Sequence, residues 1–206
     1  MTNKPLSKHA LKTIQTRHDL LSAAETVFAR AGYEGADLNE IAALAGKTRG
    51  AIYAQFKSKE EVFLALVADR RDTHRQRMME LLESAATAEE RLQSMRAFTM
   101  QMLEDSTWGL LLLEFKLFTL RHPETRRNLQ ELFAENFRTS DARRYNSILG
   151  TAPPDALNRM LAVQSLFPML TALQLEALVA DPPLSKANVR KVAMHVFDSL
   201  FPPAKE

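Results

Sequence analysis

The 206-residue chain has no cysteine, which removes disulfides, thiolate metal sites and thiol nucleophiles and fits a reducing, cytoplasmic setting. Glycine is scarce, with six residues, and no stretch alternates apolar and polar side chains with the period of a strand. The five histidines lie far apart, and no Glu-x-x-His pair, glycine-rich phosphate loop or nucleophile elbow occurs. Catalysis, bound metal and a cofactor are therefore not expected. The longest uncharged run, 160–175, is too short for a bilayer and carries Gln164, Ser165, Pro168 and Gln174, while the first twelve residues lack the apolar core of a signal peptide. The expectation is a soluble chain with no membrane contact, long enough to bury a core without staples.

Positive charge is concentrated at the front. The first sixty residues hold nine Lys/Arg against six Asp/Glu, whereas the remainder is nearly balanced, giving a formal net charge of +2. A basic front segment suits nucleic acid but equally a solvated tail, so charge alone does not choose.

Apolar residues recur at three and four throughout, which predicts an all-α fold. Asp37 with Glu40, Ser58 with Glu61 and Thr87 with Glu90 are capping-box spacings, each marking a helix start. Pro123 and Pro154 suit first-turn positions, and Pro182 with Pro183 ends the helix before them. About nine helices follow, at 13–31, 38–45, 49–55, 59–84, 88–105, 107–121, 123–149, 154–180 and 186–200. Pro168 lies inside the eighth and is expected to kink or break it near Phe167.

Among the first three helices the spacing is that of a helix-turn-helix. Leu20, Ala24, Val27, Phe28 and Ala31 form one stripe, and Gly32 is a left-handed stop before Tyr33. Asp37 caps a short helix, Gly46 supplies the positive φ of the turn, and Thr48 caps the next helix. That helix keeps Ile52 and the following Phe56 as anchors and leaves Arg49, Gly50, Ala51, Tyr53 and Gln55 outward, with small residues permitting close approach to a major groove. Lys47, just before the cap, is a further candidate for DNA contact, and Lys59 opens the fourth helix as a candidate phosphate clamp. Lys4, Lys8 and Lys12 are read as a solvated tail, with reach to a neighbouring minor groove or phosphates as the alternative.

The segments Ala24-Glu25-Thr26-Val27-Phe28-Ala29-Arg30-Ala31-Gly32-Tyr33, Ile41-Ala42-Ala43-Leu44-Ala45-Gly46 and Ile52-Tyr53-Ala54-Gln55-Phe56-Lys57-Ser58-Lys59-Glu60 closely resemble the tetracycline-repressor (TetR) family over about residues 13–65. The resemblance implies a DNA-binding head, residues 1–58, and a helical ligand-binding and dimerisation body, residues 59–206. It implies that Thr48 caps the recognition helix and bonds phosphate, that Arg49 and Ala51 face base edges, and that Tyr53 and Lys59 hold the DNA backbone. Two positions depart from the pattern: Lys47 replaces an apolar residue before the cap, and Ala36 replaces a common threonine.

In the body, Val189, Val192, Ala193, Val196, Phe197 and Leu200 form an apolar stripe that needs a partner, and Leu166, Leu170, Leu173 and Leu178 lie on the helix before it. Helices 154–180 and 186–200 are thus expected to form a homodimer contact, as the resemblance implies. Met102, Trp108, Leu112, Phe115, Phe118, Phe137 and Phe167, with Glu114, Asn136 and Gln164 as polar groups, are candidate residues for a small apolar or amphipathic effector. The expected partners are therefore a double-stranded DNA operator, an effector and a second copy. The expected function is that of a ligand-responsive transcriptional regulator, a repressor released from a palindromic operator. A helical adaptor that never touches DNA is the rival.

Overall fold

The computed structural model describes residues 7–138 and 142–203, apart from the side chains of residues 106, 135–138, 142 and 144. Its described residues form ten helices and no strand: α1 (Lys8–Gly35), α2 (Leu38–Leu44), α3 (Arg49–Gln55), α4 (Lys59–Ser84), α5 (Ala88–Met102), α6 (Ser106–Arg121), α7 (Pro123–Arg138), α8 (Ala142–Leu149), α9 (Arg159–Val179) and α10 (Lys186–Leu200). The all-α expectation holds. The predicted helix 123–149 is seen as α7 and α8 on either side of residues 139–141, which lie outside the described residues.

Local chemistry accounts for the starts. The Ser7 hydroxyl accepts from the Ala10 N–H at 3.1 Å and opens α1 five residues earlier than the apolar stripe predicts. At α5 both halves of the Thr87–Glu90 capping box are present. The backbone N–H groups of Thr87 and Ala86 hold the Glu90 carboxyl below its usual range. At α2 the cap forms without the box: Asp37 accepts from the Asn39 N–H at 2.9 Å, one residue short of Glu40, and the Glu40 carboxylate turns to Arg30. Pro154 is not in a helical first turn. A turn closes from the Ala156 N–H to the Pro153 carbonyl at 3.0 Å, and the Asn158 side chain caps α9 four residues further on. α9 then runs unbroken through Pro168, correcting the expected break.

The chain divides into two compact units. One comprises residues 1–71 and 114–129, the other 72–113 and 130–206. The first is built on α1, α2 and α3, with α1 against α2 and α2 against α3. Leu20, Ala24, Val27, Phe28, Ile41, Ile52, Phe56 and Val62 are its buried aliphatic and ring core. Beside them lies a ring cluster: Phe63 stacks on Phe115 at 4.1 Å between centroids and meets Tyr33 and Phe28 edge-on at 5.4 and 5.0 Å.

The second unit centres on α9 against α10, with α5 and α8 packed on them. Ala162, Leu166, Leu170, Ala193, Phe197, Leu200 and Phe201 share its core with Leu82, Met95, Met100 and Leu149. Leu166 and Leu170, expected at a dimer contact, are instead spent inside the chain because α10 covers them. α9 is long and apolar enough by length and composition to cross a membrane. Its buried face nevertheless includes Arg159 and Gln174, both bonded within the unit: Arg159 donates to the carbonyls of Gly150 and Pro202 at 3.0 and 2.9 Å, and Gln174 to that of Leu103 at 2.7 Å.

Candidate nucleic-acid interface

The recognition helix is placed by its two neighbours. After α2 the N–H groups of Gly46 and Lys47 bond to the carbonyls of Ala43 and Ala42 at 3.0 and 2.9 Å, and Gly46 has φ 64°. This is a Schellman closure, which satisfies the last carbonyls of α2 and needs a left-handed residue at the position of Gly46. A Cβ there would meet nothing within 4 Å, so conformation rather than space selects glycine. Thr48 then caps α3, its hydroxyl accepting from the Ala51 N–H at 3.2 Å.

Ile52 and Phe56 seal one side of α3 into the core, leaving Arg49, Gly50, Tyr53 and Ala54 exposed, and Ala51 and Gln55 half-buried. Tyr53 is 44% exposed, and the Arg49 guanidinium lies over its ring at 5.6 Å. Two outward side chains thus form one cation–π unit on the free face, next to a glycine that keeps that face low.

The two flanking lysines both bond within the unit. Lys59 does not extend from the unit: its ammonium donates to the Glu34 and Ala36 carbonyls at 2.8 and 3.3 Å and lies 5.1 Å above the Tyr33 ring. It ties the start of α4 to the link between α1 and α2, where freed carbonyls attract it. Lys47 pairs with Asp19 at 2.9 Å. That bond, helped by Gln15, holds the Asp19 carboxyl below its usual range. Lys8 and Lys12 are exposed but lie on the first turns of α1 rather than in an unstructured tail, while Lys4 lies outside the described residues.

Gly32 interrupts α1 with φ 70° and ψ 175°, a region open essentially to glycine alone. The break frees N–H groups just beyond it. Glu114 satisfies them, accepting from the Tyr33 N–H at 2.8 Å and the Glu34 N–H at 3.4 Å. A Cβ on Gly32 would stand 3.0 Å from the Glu114 oxygens. Glu114 thus caps the backbone beyond the break. Phe115 is fully buried in the ring cluster, and Phe118 packs on Tyr33 and on His122 at 4.6 and 3.9 Å. Burial pushes the Tyr33 phenol up, and the Glu60 charge adds to the effect.

The remaining effector candidates belong to the second unit. Met102, Trp108, Leu112 and Gln164 are half-buried, and Phe167 is exposed. The side chains of Asn136 and Phe137 lie outside the described residues. The sequence reading missed Gln174 and Arg159. Their signal was a strongly polar residue within an otherwise apolar α9 segment or at its start, which burial must satisfy internally.

Residues 20–66 match the family model for bacterial regulatory proteins of the tetR family. Over those residues the chain is similar to that family. Its match with the HTH-type transcriptional repressor AcnR of Corynebacterium efficiens is 41% identical over 58 residues, covering 28% of this chain and 31% of the relative. That with the HTH-type transcriptional regulator TtgR of Pseudomonas putida is 43% identical over 60 residues, 29% of each. The chain thus spans under a third of the length of these two relatives. A crystal structure of the transcriptional regulator FadR from Bacillus subtilis in complex with stearoyl-CoA is similar over 91% of this chain and 99% of that one, with a TM-score of 0.63 and 22% identity. That likeness extends the shared fold to the body.

Proposed function

We propose that this chain is a ligand-responsive, DNA-binding transcriptional repressor that acts as a homodimer in the cytoplasm, with residues 1–58 contacting DNA and 59–206 sensing and dimerising. The observation that carries the reading is α3. It is anchored from behind by Ile52 and Phe56 and offers Arg49 and Tyr53 as an exposed pair. A helix so presented fits a major groove about 12 Å wide. Arg49 and Ala51 face base edges in this reading, and Thr48, Tyr53, Gln55 and the Gly50 backbone lie along the phosphates. Lys47 and Lys59 keep the helix in place.

Exposed apolar residues on the last two helices support self-association: Phe167, Met169, Leu178, Val179 and Val192 are 41%, 46%, 59%, 66% and 42% exposed. A two-fold dimer sets its recognition helices about 34 Å apart, one helical turn of DNA. The effector is an apolar or amphipathic small molecule held by residues drawn from Met102, Trp108, Leu112, Gln164 and Phe167. The FadR complex with stearoyl-CoA supports a long-chain acyl compound as the first to try. Release works by differential binding: a ligand that weakens operator affinity 100-fold supplies about 2.7 kcal/mol, and the operator must weaken ligand binding equally.

The test is selection of bound duplexes from a random pool by the purified chain. Palindromes with half-sites one turn apart are expected, and Arg49→Ala is expected to cost about 1–3 kcal/mol at a single base position. No duplex retained at low salt overturns the reading in favour of an adaptor. For the effector, equal stearoyl-CoA affinity with and without operator, or no binding, removes that ligand.

A further inference from the structure

The first three turns of α1 contribute nothing to a core. Every residue from Lys8 to His18 is exposed except the half-buried Ala10 and Thr16, and the first buried residue is Leu20. A helix fragment this short is marginal without packing, and its own charges oppose it. Lys8 and Lys12 are like charges at i, i+4, a lysine sits in the first turn where the helix dipole favours an anion, and no acidic residue occurs from Ser7 to His18. Yet Ser7 caps the segment. Locally unfavourable choices kept in this way point to an external requirement.

The direction of the lysines is fixed by contacts within the same unit. Lys8, Lys12, Gln15 and Asp19, spaced four, three and four apart, lie on one stripe of α1. At the stripe's end Asp19 bonds Gln15 at 2.7 Å and Lys47 at 2.9 Å, and Lys47 immediately precedes the Thr48 cap of α3. Arg17, on the opposite side, is occupied over the Phe56 ring at 4.6 Å. The lysine stripe therefore continues from the turn that leads into the recognition helix.

We propose that Lys8 and Lys12 form a cationic outrigger that grips the phosphate backbone beside each half-site, an extension of the DNA reading given above and dependent on it. At 1.5 Å per residue Lys12 stands roughly 10 Å and Lys8 roughly 16 Å along the helix from Asp19. A DNA strand carries a charge about every 3.4 Å along its axis, so these are about three and five base steps. Once phosphates lie along the stripe, the like-charge and dipole penalties are offset. The partner is read by charge alone, so the contact adds affinity and register without sequence preference.

The experiment uses the full chain and a duplex recovered by the selection above, made with about ten extra base pairs on each side and also trimmed flush to the half-sites. Affinity is followed against salt concentration. Lys8→Ala/Lys12→Ala is expected to lower the steepness of log affinity against log salt by about two per bound chain, and Lys8→Arg/Lys12→Arg to restore it. Trimming the flanks is expected to cost the intact chain the same steepness and the alanine variant nothing more. Equal slopes for the intact chain and the alanine variant on the long duplex overturn the outrigger while leaving the DNA-binding head standing. An intact chain that retains no duplex overturns both.

Discussion

The two compact units teach different lessons about how a chain stores its structure. In the first, geometry hangs on single positions: a left-handed Gly46, a Gly32 pressed against Glu114, a threonine cap and one ring cluster. In the second, the core is mostly aliphatic residues and methionines on α4, α5, α8, α9 and α10, with Phe197 and Phe201 beside them, and many similar side chains would fill it. Position-specific demands leave a readable signature, and residues 20–66 of that unit match a family model. Degenerate packing preserves a fold while leaving little in the sequence to compare.

The contrast is breakable, and the largest effect is expected at its centre. Phe115→Ala removes a fully buried ring stacked on Phe63, and a loss of about 3–5 kcal/mol is expected in urea unfolding followed by circular dichroism. A loss under about 1 kcal/mol would mean that the ring cluster is loosely packed. Next is Gly32→Ala, which forces a Cβ into a glycine-only backbone region and against the Glu114 carboxylate, for about 1–3 kcal/mol. Gly46→Asn is its control. Open space and the tolerance of asparagine for left-handed backbone predict a smaller change in the same assay.

On the other side, Leu178→Ser/Val179→Ser replaces apolar surface on α9 and is expected to leave unfolding nearly unchanged, within about 0.5 kcal/mol per site. Sedimentation should instead show weaker self-association. Full-strength dimers would remove these residues from the contact.

The smallest effect concerns acid. The Asp19 carboxyl is held low by Lys47, so its stabilising contribution is present above its unfolded-state pKa and fades as pH falls through the depressed folded value. Asp19→Asn should therefore narrow the stability difference from the parent as pH falls below the usual carboxylate range, while lowering stability slightly at neutral pH. Parallel pH curves for the two proteins would show that the pair contributes nothing.

Most of the helices were legible because periodicity and caps report on the same boundaries. The turn between α2 and α3 was read residue by residue, since Gly46 and Thr48 each have one geometric use there. What escaped was long-range polar pairing. Nothing in the sequence near Glu114 says that it will cap a break some eighty residues earlier, so its position among aromatics resembled a ligand-orienting group. The bonds of Lys59 were hidden for the same reason: nothing at a helix start says that the carbonyls of Glu34 and Ala36 will be brought to its ammonium. Proline misled at α9 because Pro154 and Asn158 are rival start signals, and only tertiary structure chooses between them. The fate of Leu166 and Leu170 was hidden as well, because an apolar stripe does not say whether its cover comes from the same chain or another.

The bond from Tyr33 to Glu114 spans 81 positions, and with that from Glu34 it satisfies the backbone that Gly32 frees in α1. The N-terminal module is consequently not contiguous on the gene. A nascent chain must release α6 before the end of α1 can settle, and a chimaera joined at residue 71 would leave behind both the carboxylate and the stacked phenyl ring that complete it. Exchanging such modules between regulators would require transplanting 114–129 together with the first 71 residues.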